Sequence, residues 1–142
     1  MRVVLDSSVL VAAYISRAGA CASVLEDVLT DHEWVISRFI VAELCRKLRE
    51  KFNYPADDIA AIRHSVIAAA ELVEPAEIAP GACRDADDLP VLGTAVAGRA
   101  EGLITVDKDL LELDPFRGIP ILKPGGFWRL LEPRAGAAPA AD

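Results

Sequence analysis

A chain of 142 residues, 53% hydrophobic and 26% charged, can bury one sizeable core, which excludes wholesale disorder and leaves no room for two separate domains. Its net charge of −7 argues against a general electrostatic grip on nucleic acid. Three scattered cysteines without a C-x-x-C pair exclude a disulfide framework and a zinc knuckle, and two histidines disfavour a Ser-His-Asp triad.

The predicted elements alternate between short β-rich runs and helical stretches. Val3-Val4-Leu5 reads as a buried strand, closed by the polar Asp6. Val9 to Ile15 is helical, Gly19 interrupts, and Ser23 is a cap for a second helical run. Trp34-Val35-Ile36 is the next strand. Ser37 caps a helix to about Phe52, with Ile40, Leu44, Leu48 and Phe52 at core-facing spacing. Pro55 opens a helix to about Glu71, followed by an edge strand at Leu72-Val73 and a loop marked by Pro75, Pro80 and Gly81. Asp88 reads as the N-cap of a helix with Pro90 in its first turn, ending near Gly102. Leu103 to Val106 and Ile119 to Leu122 are strands, and Phe127 to Leu131 is a last helical turn. The expected fold class is α/β: one domain over residues 1–132 with a mostly parallel sheet of about five strands and helices on both faces, then an Ala/Pro-rich disordered tail over 133–142. No apolar run approaches the roughly 18 residues needed to span a bilayer. The apolar start carries Asp6 and no signal-cleavage pattern, so a cytoplasmic location with no membrane association is expected.

Ligands of parallel α/β sheets bind beyond the carboxyl ends of the strands. Asp6 and Asp107 each directly follow a strand there. Asp85, Asp87 and Asp88 precede the helix that leads into the later strand, and Glu43 lies on the helix after Trp34-Val35-Ile36. With Asp109 these are seven acids, and without them the remaining acids equal the 15 basic residues. Two carboxylates about 4 Å apart repel by roughly 4 kcal/mol at an effective dielectric near 20. A convergent cluster therefore needs protons or a cation, and oxygen donors without His or Cys select Mg²⁺ or Mn²⁺. The fitting chemistry is metal-assisted phosphodiester hydrolysis. Each acid also has a plainer reading. Asp88 serves as a helix cap, Asp107-Lys108-Asp109 as a turn, and Glu43 as an i,i+4 partner of Lys47. Arg46, Lys47, Arg49 and Lys51 suit a phosphate backbone or a solvated helix face equally.

Four segments in order, VVLDSSVLVAA, SRFIVAELCRKL, RDADDLPVLGTAVAGRAEGLITVDKDLLEL and ILKPGGFWRLL, resemble the motifs of the PIN-domain ribonucleases, over nearly all of residues 2–131. The likeness is greatest to the toxin-like, VapC-type bacterial and archaeal group. By position, Asp6, Glu43, Asp88 and Asp107 match the acidic catalytic quartet, with Asp6, Asp88 and Asp107 as the metal ligands. Asp88 is preferred to Asp85 and Asp87 by the spacing of Val91, Leu92 and Ala95. Ser7 and Ser8 stand where the family often has Thr and Asn. The resemblance implies a Mg²⁺- or Mn²⁺-dependent endoribonuclease acting on RNA, a homodimer, and a cognate antitoxin as partner. Two other readings remain: a PIN fold kept only as a binding scaffold, and an aspartyl phosphotransfer domain with Asp6 as nucleophile. The second lacks the further Asp expected two residues on, where Ser8 stands.

Overall fold

The computed structural model describes residues 1–131, so the expected tail lies outside the described residues. The elements are β1 (Arg2–Leu5), α1 (Ser7–Ile15), α2 (Ala20–Asp31), β2 (Glu33–Ile36), α3 (Arg38–Phe52), α4 (Ala56–Ala69), β3 (Glu71–Leu72), α5 (Leu89–Ala97), β4 (Gly102–Ile104), α6 (Lys108–Leu111), β5 (Ile121–Leu122) and α7 (Phe127–Leu131). All five strands are parallel, in the order β3-β2-β1-β4-β5. The fold is α/β, with its strand order reversing between β1 and β4. Val3, Val4, Leu5, Val35, Ile36, Leu103 and Ile104 are fully buried, which is why these short strands read as continuous apolar runs. Among the described residues no single helix is long and apolar enough to cross a membrane.

Helix ends follow local chemistry. The Ser37 hydroxyl accepts from the Ile40 N–H at 3.4 Å and lies 2.7 Å from the Thr94 hydroxyl, so one buried serine caps α3 and ties it to α5. Asn53 ends α3 in the left-handed region at φ 53°, a conformation asparagine tolerates. Phe52 is 45% exposed rather than in the core, unlike Ile40, Leu44 and Leu48. A spacing of four drifts about 40° per step around a 3.6-residue helix, so Phe52 points about 120° away from Ile40.

Several boundaries differ from the sequence expectation. Helix α1 begins at Ser7 because Asp6 caps it, and α2 begins at Ala20, with Gly19 rather than Ser23 at its head. Helix α5 stops at Ala97, because Arg99 turns into the left-handed region at φ 50° and Gly102 must lie opposite Val3. The four-residue α6 is too short to leave a periodic signal. Ile119 forms an isolated antiparallel bridge with Phe116 and is not part of β5.

Gly93 of α5 sets the position of the loop before the acidic segment. Its carbonyl accepts from the Ala76 N–H at 2.9 Å. A Cβ there would fall on the Ala76 carbonyl oxygen and 3.0 Å from Pro75 Cβ. Alanine favours helix by about 1 kcal/mol over glycine, but overpacking against backbone costs about 1–3 kcal/mol. Gly93→Ala is therefore expected to lower the melting temperature by several degrees in a thermal denaturation. An unchanged or higher value would mean that the loop is free to move off α5.

Candidate active site

Residues Leu5 and Ile104 are register partners in β1 and β4, and the Asp6 N–H donates to the Ile104 carbonyl at 2.9 Å. The ladder thus carries the two chains side by side to the point where the strand order reverses. Asp6 is 5% exposed and heads α1. Its Oδ1 accepts from the Ser7 N–H at 2.8 Å, and its Oδ2 accepts from the hydroxyls of Ser8 at 2.9 Å and Thr105 at 2.8 Å. These donors offset the cost of burying the carboxylate. Ser7 and Ser8 divide the work here: Ser8 braces Asp6, while the Ser7 hydroxyl turns to Glu43.

Thr105 links the two strand ends. Its hydroxyl donates to Asp6 and accepts from the Asp107 N–H at 3.0 Å. Asp107 then caps α6, its Oδ1 accepting from the Asp109 N–H at 2.9 Å. The carboxylates of Asp88, Asp107 and Asp109 each bring an oxygen within 4.8 Å of the others. Among the described residues no Lys or Arg nitrogen lies within 4 Å of these three carboxylates.

Asp88 does not cap α5 as expected. The chain is already helical there, closing the single 3₁₀ turn Ala86–Asp88, and its side chain makes no capping hydrogen bond. Asp85 caps that turn instead, accepting from the Asp87 N–H at 2.9 Å. The freed Asp88 carboxylate is 8% exposed, and the Cys83 thiol donates to it at 3.6 Å. Burial first, then the charges of Asp107, Asp85 and Asp6, push its acid up to about 7.

Glu43 sits on α3 and is not part of this trio. Its Oε1 accepts from the Ser7 hydroxyl at 2.9 Å, and its Oε2 lies 3.6 Å from Arg46 Nη2. Of the four acids singled out in the sequence, Asp88 and Asp107 therefore share one group, Asp6 joins it through Thr105, and Glu43 joins Asp6 through Ser7. Asp85 and Asp87 are exposed. The trio's third member is Asp109, which the sequence presented as part of a turn. Its signal was the D-x-D spacing after a strand, where the first Asp caps and the second is held beside it. Thr105 left no comparable signal, being indistinguishable from a strand residue.

The donor set is all carboxylate oxygen with no described Lys or Arg nitrogen within 4 Å, so it fits a hard divalent ion such as Mg²⁺ or Mn²⁺.

The molecule is thus a parallel α/β domain with carboxylates gathered where its strand order reverses. Residues 2–109 match the sequence profile of the PIN domain, and the chain belongs to that family of nucleases. Two solved structures share the fold. VapBC2 from Rickettsia felis, bound to a DNA fragment from its promoter, superposes with a TM-score of 0.56 at 18% identity, covering 87% of this chain and 98% of the other. VapBC-1 from nontypeable Haemophilus influenzae superposes with a TM-score of 0.60 at 15% identity, covering 88% and 99%. A comparison with curated protein sequences gave no match.

Proposed function

We propose that the protein is a divalent-metal-dependent endoribonuclease, the toxin of a toxin–antitoxin pair acting in the cytoplasm. The observation that carries this reading is the Asp88, Asp107 and Asp109 trio, which has no described Lys or Arg nitrogen within 4 Å and is tied to buried Asp6. Asp6, Asp88 and Asp107 form the ligand set inferred from the sequence, and the geometry supports Asp109 as a further oxygen donor. A bound Mg²⁺ or Mn²⁺ supplies Lewis acidity toward the phosphodiester and lowers the pKa of water at the site.

The chain's own part is positional and electrostatic. Ser7, Ser8 and Thr105 fix the Asp6 carboxylate, so its negative charge needs no rearrangement during the reaction. The three hydrogen bonds leave Oδ1 of Asp6 able to accept once more, and Ser8 stands where a phosphotransfer site would place its second Asp. Asp88 must lose its proton before it can hold a cation. The VapBC structures that share the fold support an antitoxin partner, and the family resemblance supports a homodimer and an RNA substrate.

The test is cleavage. Purified protein with Mn²⁺ is expected to cut RNA, and excess EDTA to abolish the cutting. Absence of cleavage across diverse RNAs, together with no Mn²⁺ binding by calorimetry, would leave only the binding-scaffold reading.

A further inference from the structure

The Glu43 side of the site holds a cation that the nuclease reading leaves without a task. Lys47 Nζ donates to the Ser7 hydroxyl at 2.9 Å and lies 4.0 Å from Glu43 Oε1. Ser7 directly follows Asp6, so this ammonium is anchored next to the acidic centre. Its side chain is 23% exposed, so its stem is packed and its position restricted. Holding that long stem in one pose costs rotamer entropy. Neutralising Glu43 does not account for it, because Arg46 already faces Oε2 at 3.6 Å and Ser7 already donates to Oε1. Arg46 is further engaged by Glu50 at 3.3 Å. An ammonium has three N–H donors. Lys47 uses one on Ser7, and 4.0 Å is too long for a hydrogen bond to Glu43. Two donors are left for an incoming acceptor.

A polyanionic strand approaching a chain of net charge −7 meets repulsion at the acidic end of the sheet. We propose that Lys47 is the phosphate-binding residue of the site, its ammonium contacting a backbone phosphate oxygen of the bound RNA strand. This rests on the nuclease reading. In it, Glu43 and Ser7 position Lys47, and Asp88, Asp107 and Asp109 form the separate carboxylate trio.

The test reads binding as well as cleavage. Anisotropy of a fluorescein-labelled single-stranded RNA, in EDTA and across a salt series, reports the contact without metal. Lys47→Gln is expected to weaken binding about tenfold and to flatten the slope of log affinity against log salt by about 0.7. Lys47→Arg is expected to restore both. With Mn²⁺, the Gln variant should raise KM with kcat largely kept, because a phosphate contact of this kind serves ground and transition states alike. Lys47→Met keeps the apolar stem and replaces the Gln variant should that one fail to fold. A folded neutral variant with wild-type affinity, salt slope and KM would overturn the inference alone and leave Lys47 as a structural partner of Glu43. A wild-type protein that neither binds nor cleaves RNA would overturn the nuclease reading, and this inference with it.

Discussion

Asp6→Asn is expected to reduce metal-dependent RNA cleavage by at least about 10²–10³-fold while leaving the fold in place. The carboxylate accepts three hydrogen bonds from the Ser7 N–H, Ser8 and Thr105. An asparagine oxygen can keep the Ser7 bond, and the two hydroxyls can rotate to accept from its NH₂. The change is then a loss of charge rather than of shape, and the melting temperature should move little. What is lost is a fixed anion next to the Asp88, Asp107 and Asp109 trio, at the point where the β1 and β4 ends meet. The variant and wild type must be purified identically, because a contaminating nuclease is the main hazard. Equal, metal-dependent cutting by both would place the activity elsewhere.

Asp88→Asn should move stability in opposite directions with and without metal. The folded-state acid of Asp88 is raised to about 7, against an ordinary aspartate near 4 in the unfolded chain. Between those values the folded protein holds a proton that the unfolded chain has lost. Bound protons are then more numerous in the native state, so stability falls as pH rises through this window and levels off above about pH 7. A displacement of that size corresponds to about 4 kcal/mol at most. Without metal near pH 8, the Asn variant is expected to melt about 5–10 °C above wild type. Near pH 4.5 both carry a neutral side chain there, and their melting temperatures should converge. Saturating Mn²⁺ at the higher pH should reverse the order by stabilising wild type much more. Equal Mn²⁺ stabilisation of both proteins would remove Asp88 from the ligand set.

The fold was legible wherever burial was complete. Val3 to Leu5 and Trp34 to Ile36 lie inside a parallel sheet, so both their faces are apolar and the run is visible in one dimension. The acids at strand ends were legible for the same reason, since Asp6 interrupts an apolar stretch. What stayed hidden was tertiary. Lys47 and Ser7 are 40 residues apart, and only the packing of α1 against α3 brings them together. Asp88 looked like a cap because a Pro-containing helix follows it, but the preceding 3₁₀ turn had already supplied the helical entry. Asp109 was hidden by α6, a helix of four residues.

The bond between Thr105 and Asp6 spans 99 residues of sequence. Its partners emerge from the ribosome about 5–20 s apart at ordinary elongation rates. Until β4 docks beside β1, the chain has Asp6 and Glu43 in hand but not Asp107 or Asp109. On the nuclease reading, the growing polypeptide is harmless to the messenger that encodes it. On that same reading the site is complete only once β4 has docked beside β1, and an antitoxin would have that interval in which to arrive.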